Sequence, residues 1–154
     1  KVSATVSAGV EFRQIENSSV QEGGSPVFDG SLFDQPFDGT TVALTFSRRT
    51  QNSATLGGQD LHSTEVILSL RQRFLQRVYV GLSVGYQNSS YFSTFVGFSA
   101  TRSDDYYFLQ ASADLNITRF WTIGLFYFYR QSDSTLGTFS FYDNQLGLHS
   151  SLNF

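Results

Sequence analysis

The chain has 154 residues, enough for a single domain over 1–154, with a net charge of -3 and only 15% charged residues; an average soluble domain carries about 25%. No basic excess is present to hold a phosphate backbone, so nucleic acid is not an expected partner. No cysteine supplies a disulfide, a thiolate metal ligand or a nucleophile. Aromatic residues reach 16%, with 16 Phe and 8 Tyr, a share that suits strands better than helices. No run approaches the roughly 18 apolar residues of a membrane helix. No charged start leads into an apolar stretch, so an exported form would be a processed chain or a fragment.

In chain order the apolar residues fall at alternate positions. Val2, Ala4, Val6, Ala8, Val10 and Phe12 share one face of a strand, and Lys1, Ser3, Thr5, Ser7, Gly9, Glu11 and Arg13 share the other. Residues 14–24 are polar and Gly/Ser-rich, a loop. A weaker strand over 26–33 sets Phe28 and Leu32 against Asp29 and Ser31, and Asp38-Gly39 then supplies turn chemistry. Residues 40–49 resume with Val42, Leu44 and Phe46, and 50–60 is a second loop. Over 61–74, Val66, Leu68 and Leu70 oppose Glu65, Ser69, Arg71 and Arg73.

A short turn at Leu75-Gln76 leads into 77–87, where Val78, Val80, Leu82, Val84 and Tyr86 oppose Arg77, Gly81, Ser83, Gly85 and Gln87. Residues 88–105 read as a long, partly aromatic loop. Over 106–117, Tyr107, Leu109, Ala111, Ala113, Leu115 and Ile117 oppose Gln110, Ser112, Asp114 and Asn116. After a short turn at 118–120, Trp121, Ile123, Leu125, Tyr127 and Tyr129 oppose Thr122, Gly124 and Arg130. Beyond a loop over 132–140, Leu146, Leu148, Leu152 and Phe154 oppose Gln145, Gly147, His149, Ser151 and Asn153.

This is an all-β chain of eight strands whose connections alternate long and short. That is the grammar of a transmembrane antiparallel up-and-down β-barrel, with long loops at one end and tight turns at the other. Alternation alone does not say which face points in, because a soluble lipocalin-like barrel shows the same period with an apolar interior. Three features favour apolar outward. The polar face is rich in Ser, Thr and Gly; the chain has one Lys, at position 1; and Phe12, Phe46, Phe74, Tyr86, Tyr107, Trp121, Tyr129 and Phe154 fall near strand ends, as interfacial girdles do.

An alternating strand ending on Phe154 resembles the closing strand of bacterial outer-membrane barrels, which implies recognition by the barrel-insertion machinery and outer-membrane lipid as surroundings. The stretch from Arg71-Gln72-Arg73-Phe74 through Arg77 to Tyr86 is similar to a strand–turn–strand of the putative β-barrel porin type 2 family. Asp105-Tyr106-Tyr107, Leu115 to Leu125, and Phe37-Asp38-Gly39-Thr40-Thr41 are similar as well. The likeness runs over most of the chain. It implies a porin-like conduit, with export-complex proteins as partners, because several members lie beside exopolysaccharide export genes. Members are typically longer, so the chain also fits the C-terminal part of a larger barrel.

The inward ionisable set is Glu11, Arg13, Asp29, Arg49, Glu65, Arg71, Arg73, Arg77, Asp114, Arg130, Asp143 and His149. These side chains either tune the selectivity of a lumen or pair with one another to fill a narrow one. Arg71, Arg73 and Arg77 would ring the mouth at the short-turn end. Catalysis is not expected. His149 and Ser151 share a face but need a third orienting group and an oxyanion site, and Asp104-Asp105 sits where a strand opens, a common place for Asp. Two His and no Cys leave no convincing metal site, and no cofactor is implied. The expected function is a passive conduit; the alternative is a structural or adhesive barrel with a plugged lumen and binding loops.

Overall fold

The computed structural model describes residues 1–12, 24–53, 59–93 and 101–152; Arg13 and Phe154 lie outside them. Eight strands form one antiparallel sheet in sequence order. They are β1 (Val2–Glu11), β2 (Ser25–Asp34), β3 (Thr40–Asn52), β4 (Gln59–Phe74), β5 (Val78–Ser93), β6 (Arg102–Asn116), β7 (Trp121–Ser134) and β8 (Phe141–Leu152), with a single 3-10 turn at Gly137–Phe139 before β8. The connections 35–39, 75–77 and 117–120 lie at one end of the sheet, and 135–140 at the other. The strand order is therefore the up-and-down order that the alternation predicts.

Register keeps the two chemistries on opposite faces. Leu44 pairs with Leu68, Leu68 with Val84, Val84 with Leu109 and Leu109 with Tyr129, an unbroken apolar row across five strands. On the other face Ser69 pairs with Ser83, their hydroxyls 2.9 Å apart, and Ser83 pairs with Gln110. A one-residue slip anywhere would move a whole strand's apolar set to the wrong side, so the alternation excludes odd-numbered slips and leaves the choice among even ones to strand pairing.

Burial is inverted relative to a soluble domain. Along β5 the polar-face residues Tyr79, Gly81, Ser83, Gly85, Gln87 and Ser89 are half-buried or buried, while Val80, Leu82, Val84 and Tyr86 are exposed. Strand β7 repeats this, with Thr122, Gly124, Phe126 and Phe128 sheltered and Trp121, Ile123, Leu125 and Tyr127 exposed. In a single-layer sheet the sheltered face is the concave one. Leu68, Leu82, Leu125 and Leu148 are 45%, 42%, 44% and 82% exposed, and Leu61 alone forms the buried hydrophobic set of the described residues. The sheet has an apolar skin in place of an apolar core.

Strands β4 to β7 extend further than the alternation indicates. Strand runs into both ends of the expected loop over 88–105, since β5 continues to Ser93 and β6 starts at Arg102. Most of the added residues are polar whichever face they take; Tyr91 and Phe92, adjacent and so on opposite faces, are the exceptions. Asn88 donates to the Asp105 carboxylate at 2.8 Å on one side, while Gln87 donates to Ser63 and Ser89 on the other. With polar residues on both faces the ladder persists but the period-2 signal disappears. The apolar row on β5, Val78 to Tyr86, spans nine residues, near the roughly 9–11 that a tilted strand uses to cross a hydrocarbon layer.

The sheet is open. Strand β1 pairs only with β2 and β8 only with β7 among the described residues.

The tightest turn carries unusual residues. Leu75 and Gln76 both adopt positive φ, 47° and 61°, in the three-residue connection between the paired Phe74 and Val78, a backbone region that favours Gly and Asn. Leu75 is 90% exposed, so packing does not offset its strain. The double variant Leu75→Asn/Gln76→Gly should raise stability by about 1–2 kcal/mol, read as a higher midpoint for unfolding from detergent. An unchanged midpoint would show that the turn is relaxed.

Candidate functional site: the sheltered polar face

Strand registry places Glu11, Asp29, Arg49, Glu65, Arg71, Arg73, Asp114, Arg130, Asp143 and His149 on the sheltered face, as the sequence pattern predicts. Arg77 lies in the turn before β5, lining a recess with Asn116, Thr118, Arg119 and Thr122. The structure does not bring the charged groups into one cluster; it sorts them by height.

Above the short-turn end two arginine–aspartate pairs form, while Arg49 and Glu65 make no ion pair among the described residues. Arg130 and Asp143 are direct cross-strand neighbours, with the guanidinium Nη2 and Nε at 2.8 and 2.9 Å from Asp143 Oδ2 and Gln145 donating to the same oxygen at 3.0 Å. Arg102 lies near the long-loop rim and was hidden in the expected loop. Its guanidinium sits 3.8 Å above the Tyr91 ring and 4.1 Å from that of Phe139, is 6% exposed, and pairs with Asp104 at 2.9 Å. Ser134 donates to the same carboxylate at 2.6 Å. At the short-turn end cations are in excess. Among the described residues Arg71, Arg73 and Arg77 have no carboxylate partner; Arg71 instead lies 5.0 Å over the Tyr79 ring.

His149 and Asp114 meet below Gly124, Nε2 to Oδ1 at 3.3 Å, without the alignment of a hydrogen bond. A Cβ at Gly124 would come within 2.1 Å of the imidazole and 2.3 Å of the carboxylate, so glycine makes the approach possible. Among the described residues no hydrogen bond joins Ser151 to the ring, although Ser151, Thr122 and Asn116 line the same recess. Asp104 and Asp105 point to opposite faces. Asp104 is held by Arg102 and Ser134, and Asp105 accepts from the Tyr86 hydroxyl at 2.7 Å and from Asn88. They do not form an acidic pair.

The sheltered face also carries rings that the alternation conceals. Tyr79, Tyr91, Tyr106, Phe108, Phe126, Phe128 and Phe141 all lie on it. The reading of this face as Ser, Thr and Gly with scattered charges is therefore incomplete. The overlooked signal is the unbroken run Leu125-Phe126-Tyr127-Phe128-Tyr129, in which both faces are apolar. Phe108 sits 6.2 Å from Tyr106 and 6.0 Å from Phe128, centre to centre, tilted 40° and 51°. Two of the rings lie over a glycine of a neighbouring strand: a Cβ at Gly85 would fall 2.1 Å from the Phe108 ring, and one at Gly147 would fall 2.4 Å from that of Phe126.

The sequence model of the family described as putative beta-barrel porin 2 matches residues 1–154. The chain belongs to that family. The porin assignment supplies what the open sheet lacks, since a barrel is this sheet with its edges joined. The porin family is not an enzyme family, in keeping with the separated Asp104 and Asp105. No curated protein matches the chain, and no solved structure does.

The glycine–aromatic contacts give a direct check. Gly85→Ala should cost about 1–3 kcal/mol, because the added methyl must displace the Phe108 ring, whereas Ser83→Ala, one position lower on the same face, should cost less. Unfolding midpoints that fall equally for both would mean that Phe108 is not seated on Gly85.

Proposed function

We propose that this porin-family chain forms the wall of a passive conduit in a bacterial outer membrane. The observation that carries the reading is the inverted burial. A band of exposed Leu, Val, Tyr and Trp needs an apolar solvent, and the concave face that it leaves inside is polar enough to hold water. Tyr86 and Tyr107, stacked at 5.1 Å, cap the upper edge of the band, and Trp121 marks its lower edge with its indole N–H on Ser150 at 2.8 Å. Amphipathic rings of this kind settle at membrane interfaces.

Inside hydrocarbon the unpaired edges of β1 and β8 must be satisfied, so the wall is closed by strand pairing there. The lumen-facing residues of β1, Ser3, Thr5, Ser7 and Gly9, fill little space, which favours a wide, wet lumen over a plugged one. Glu11, Glu65, Asp114, Arg130, Asp143 and His149 line that lumen, and Arg71, Arg73 and Arg77 form its cationic mouth. The cargo assigned to it is exopolysaccharide, delivered by export-complex proteins that dock on the short-turn side.

Two measurements bear on this. Leu82→Arg should cost roughly 2–4 kcal/mol of folding free energy into bilayers, and Ser83→Arg well under that; equal costs would reverse the face assignment. In planar bilayers the native polypeptide should conduct, and replacing Arg71, Arg73 and Arg77 together with Gln should shift its preference from anions toward cations. A closed, non-conducting protein would sink the conduit reading.

A further inference from the structure

Three rings of the sheltered face descend in a diagonal series, Tyr106 and Phe108 on β6 and Phe128 on β7, and Phe141 on β8 flanks its upper end, at the level of Tyr106, since both pair with Ser132. The steps from Tyr106 to Phe108 and from Phe108 to Phe128 are 6.2 and 6.0 Å, and the Arg130 guanidinium lies 5.9 Å from both Phe128 and Phe141, joining the last two. We infer that this series is a sliding surface for a glycan chain of little or no net charge. The inference rests on the conduit reading and names the chemistry of what passes along the wall.

Three features select a sugar over other solutes. First, the rings are tilted by 40° and 51° and separated from one another, so they do not bury each other face to face, and their spacing is comparable with the length of one pyranose unit. The negative π face of each ring attracts the positively polarised C–H groups on the apolar side of a sugar. Second, amides flank the rings in register. Gln110 and Gln145 are the cross-strand neighbours of Phe128, and Gln87 is that of Tyr106. Gln110 is exposed and has no hydrogen-bond partner among the described residues. An amide offers both donor and acceptor, which suits a hydroxyl that is both. An apolar solute would leave the Gln110 amide unpaired, at a cost.

Third, charge along the series cancels. Arg130 is neutralised by Asp143 at 2.8 Å, so the surface does not select a phosphate or another strong anion; Arg71, Arg73 and Arg77 lie lower, at the mouth. The pair still offers hydrogen-bonding edges to sugar hydroxyls. Gly85 and Gly147, by seating Phe108 and Phe126 flat across the neighbouring strand, keep these rings from projecting across the lumen. The result is a low-relief surface that binds weakly at many points, as sliding requires.

The test uses the full native polypeptide, purified from outer membranes and placed in planar bilayers, with maltohexaose as the probe. Polyethylene glycol of matched size and a neutral unstructured peptide serve as controls. Maltohexaose should interrupt the current at concentrations at least tenfold below either control. Phe108→Leu/Phe128→Leu, which keeps the bulk and removes the ring faces, should weaken this block at least tenfold with the open conductance kept; Phe108→Tyr should restore most of the single-site loss. A conducting protein blocked no better by maltohexaose than by the controls would overturn the glycan track and leave the conduit standing. If the protein does not conduct, the conduit fails, and saturation-transfer NMR in detergent decides the track. Transfer to the C–H protons of maltohexaose that is lost in the double Leu variant supports it, and transfer unchanged by that variant overturns it.

Discussion

Every feature of this molecule depends on its being one layer thick. A sheet offers two faces, and a soluble protein must cover one of them with a second layer to make a core. Among the described residues no second layer packs on either face; element contacts are essentially those between consecutive strands, with one small contribution from the Gly137–Phe139 turn against β7. The apolar residues thus remain as a skin, and the stability that a core would provide has to come from backbone ladders and from a surrounding apolar solvent. A chain built this way is unsuited to water on both sides and well suited to a bilayer on one.

The sheltered face then has a different task from a protein interior. It need not be apolar, only satisfied. It meets that demand in layers: hydroxyl and amide pairs such as Ser69 with Ser83, charge pairs such as Arg130 with Asp143, and rings laid over glycines. Arg102 shows the rule at its limit. Buried to 6% exposure, it is held between two rings and against a carboxylate, since an unpaired charge in that position would be costly. At the short-turn end Arg71, Arg73 and Arg77, without carboxylate partners among the described residues, are exposed.

Much of this was legible in the residues. The eight strands, their antiparallel order and the face of Glu11, Glu65, Arg71, Asp114, Arg130, Asp143 and His149 follow from period-2 alternation, and the family match agrees. Alternation failed where its physical cause was missing. Along 88–93 and 102–105 polar residues fall on both faces and the two aromatic ones, Tyr91 and Phe92, are adjacent, so the strands run on without a period-2 pattern, and Arg102 lies in what the alternation reads as a loop. Across Leu125 to Tyr129 both faces are apolar, so the rings on the sheltered side went uncounted.

What the sequence determined by itself is local and periodic: which residues extend, which face each side chain takes, and where the tight turns fall. Those are set by steric alternation within a strand. What only the tertiary structure decided is which residues of different strands become neighbours. Register, a property of pairs of strands, brings Arg130 to Asp143, His149 to Asp114 and Phe108 to Phe128, and seats the rings on Gly85 and Gly147. It also decided which face is sheltered, because curvature belongs to the whole sheet and a single strand, taken alone, has two equivalent sides.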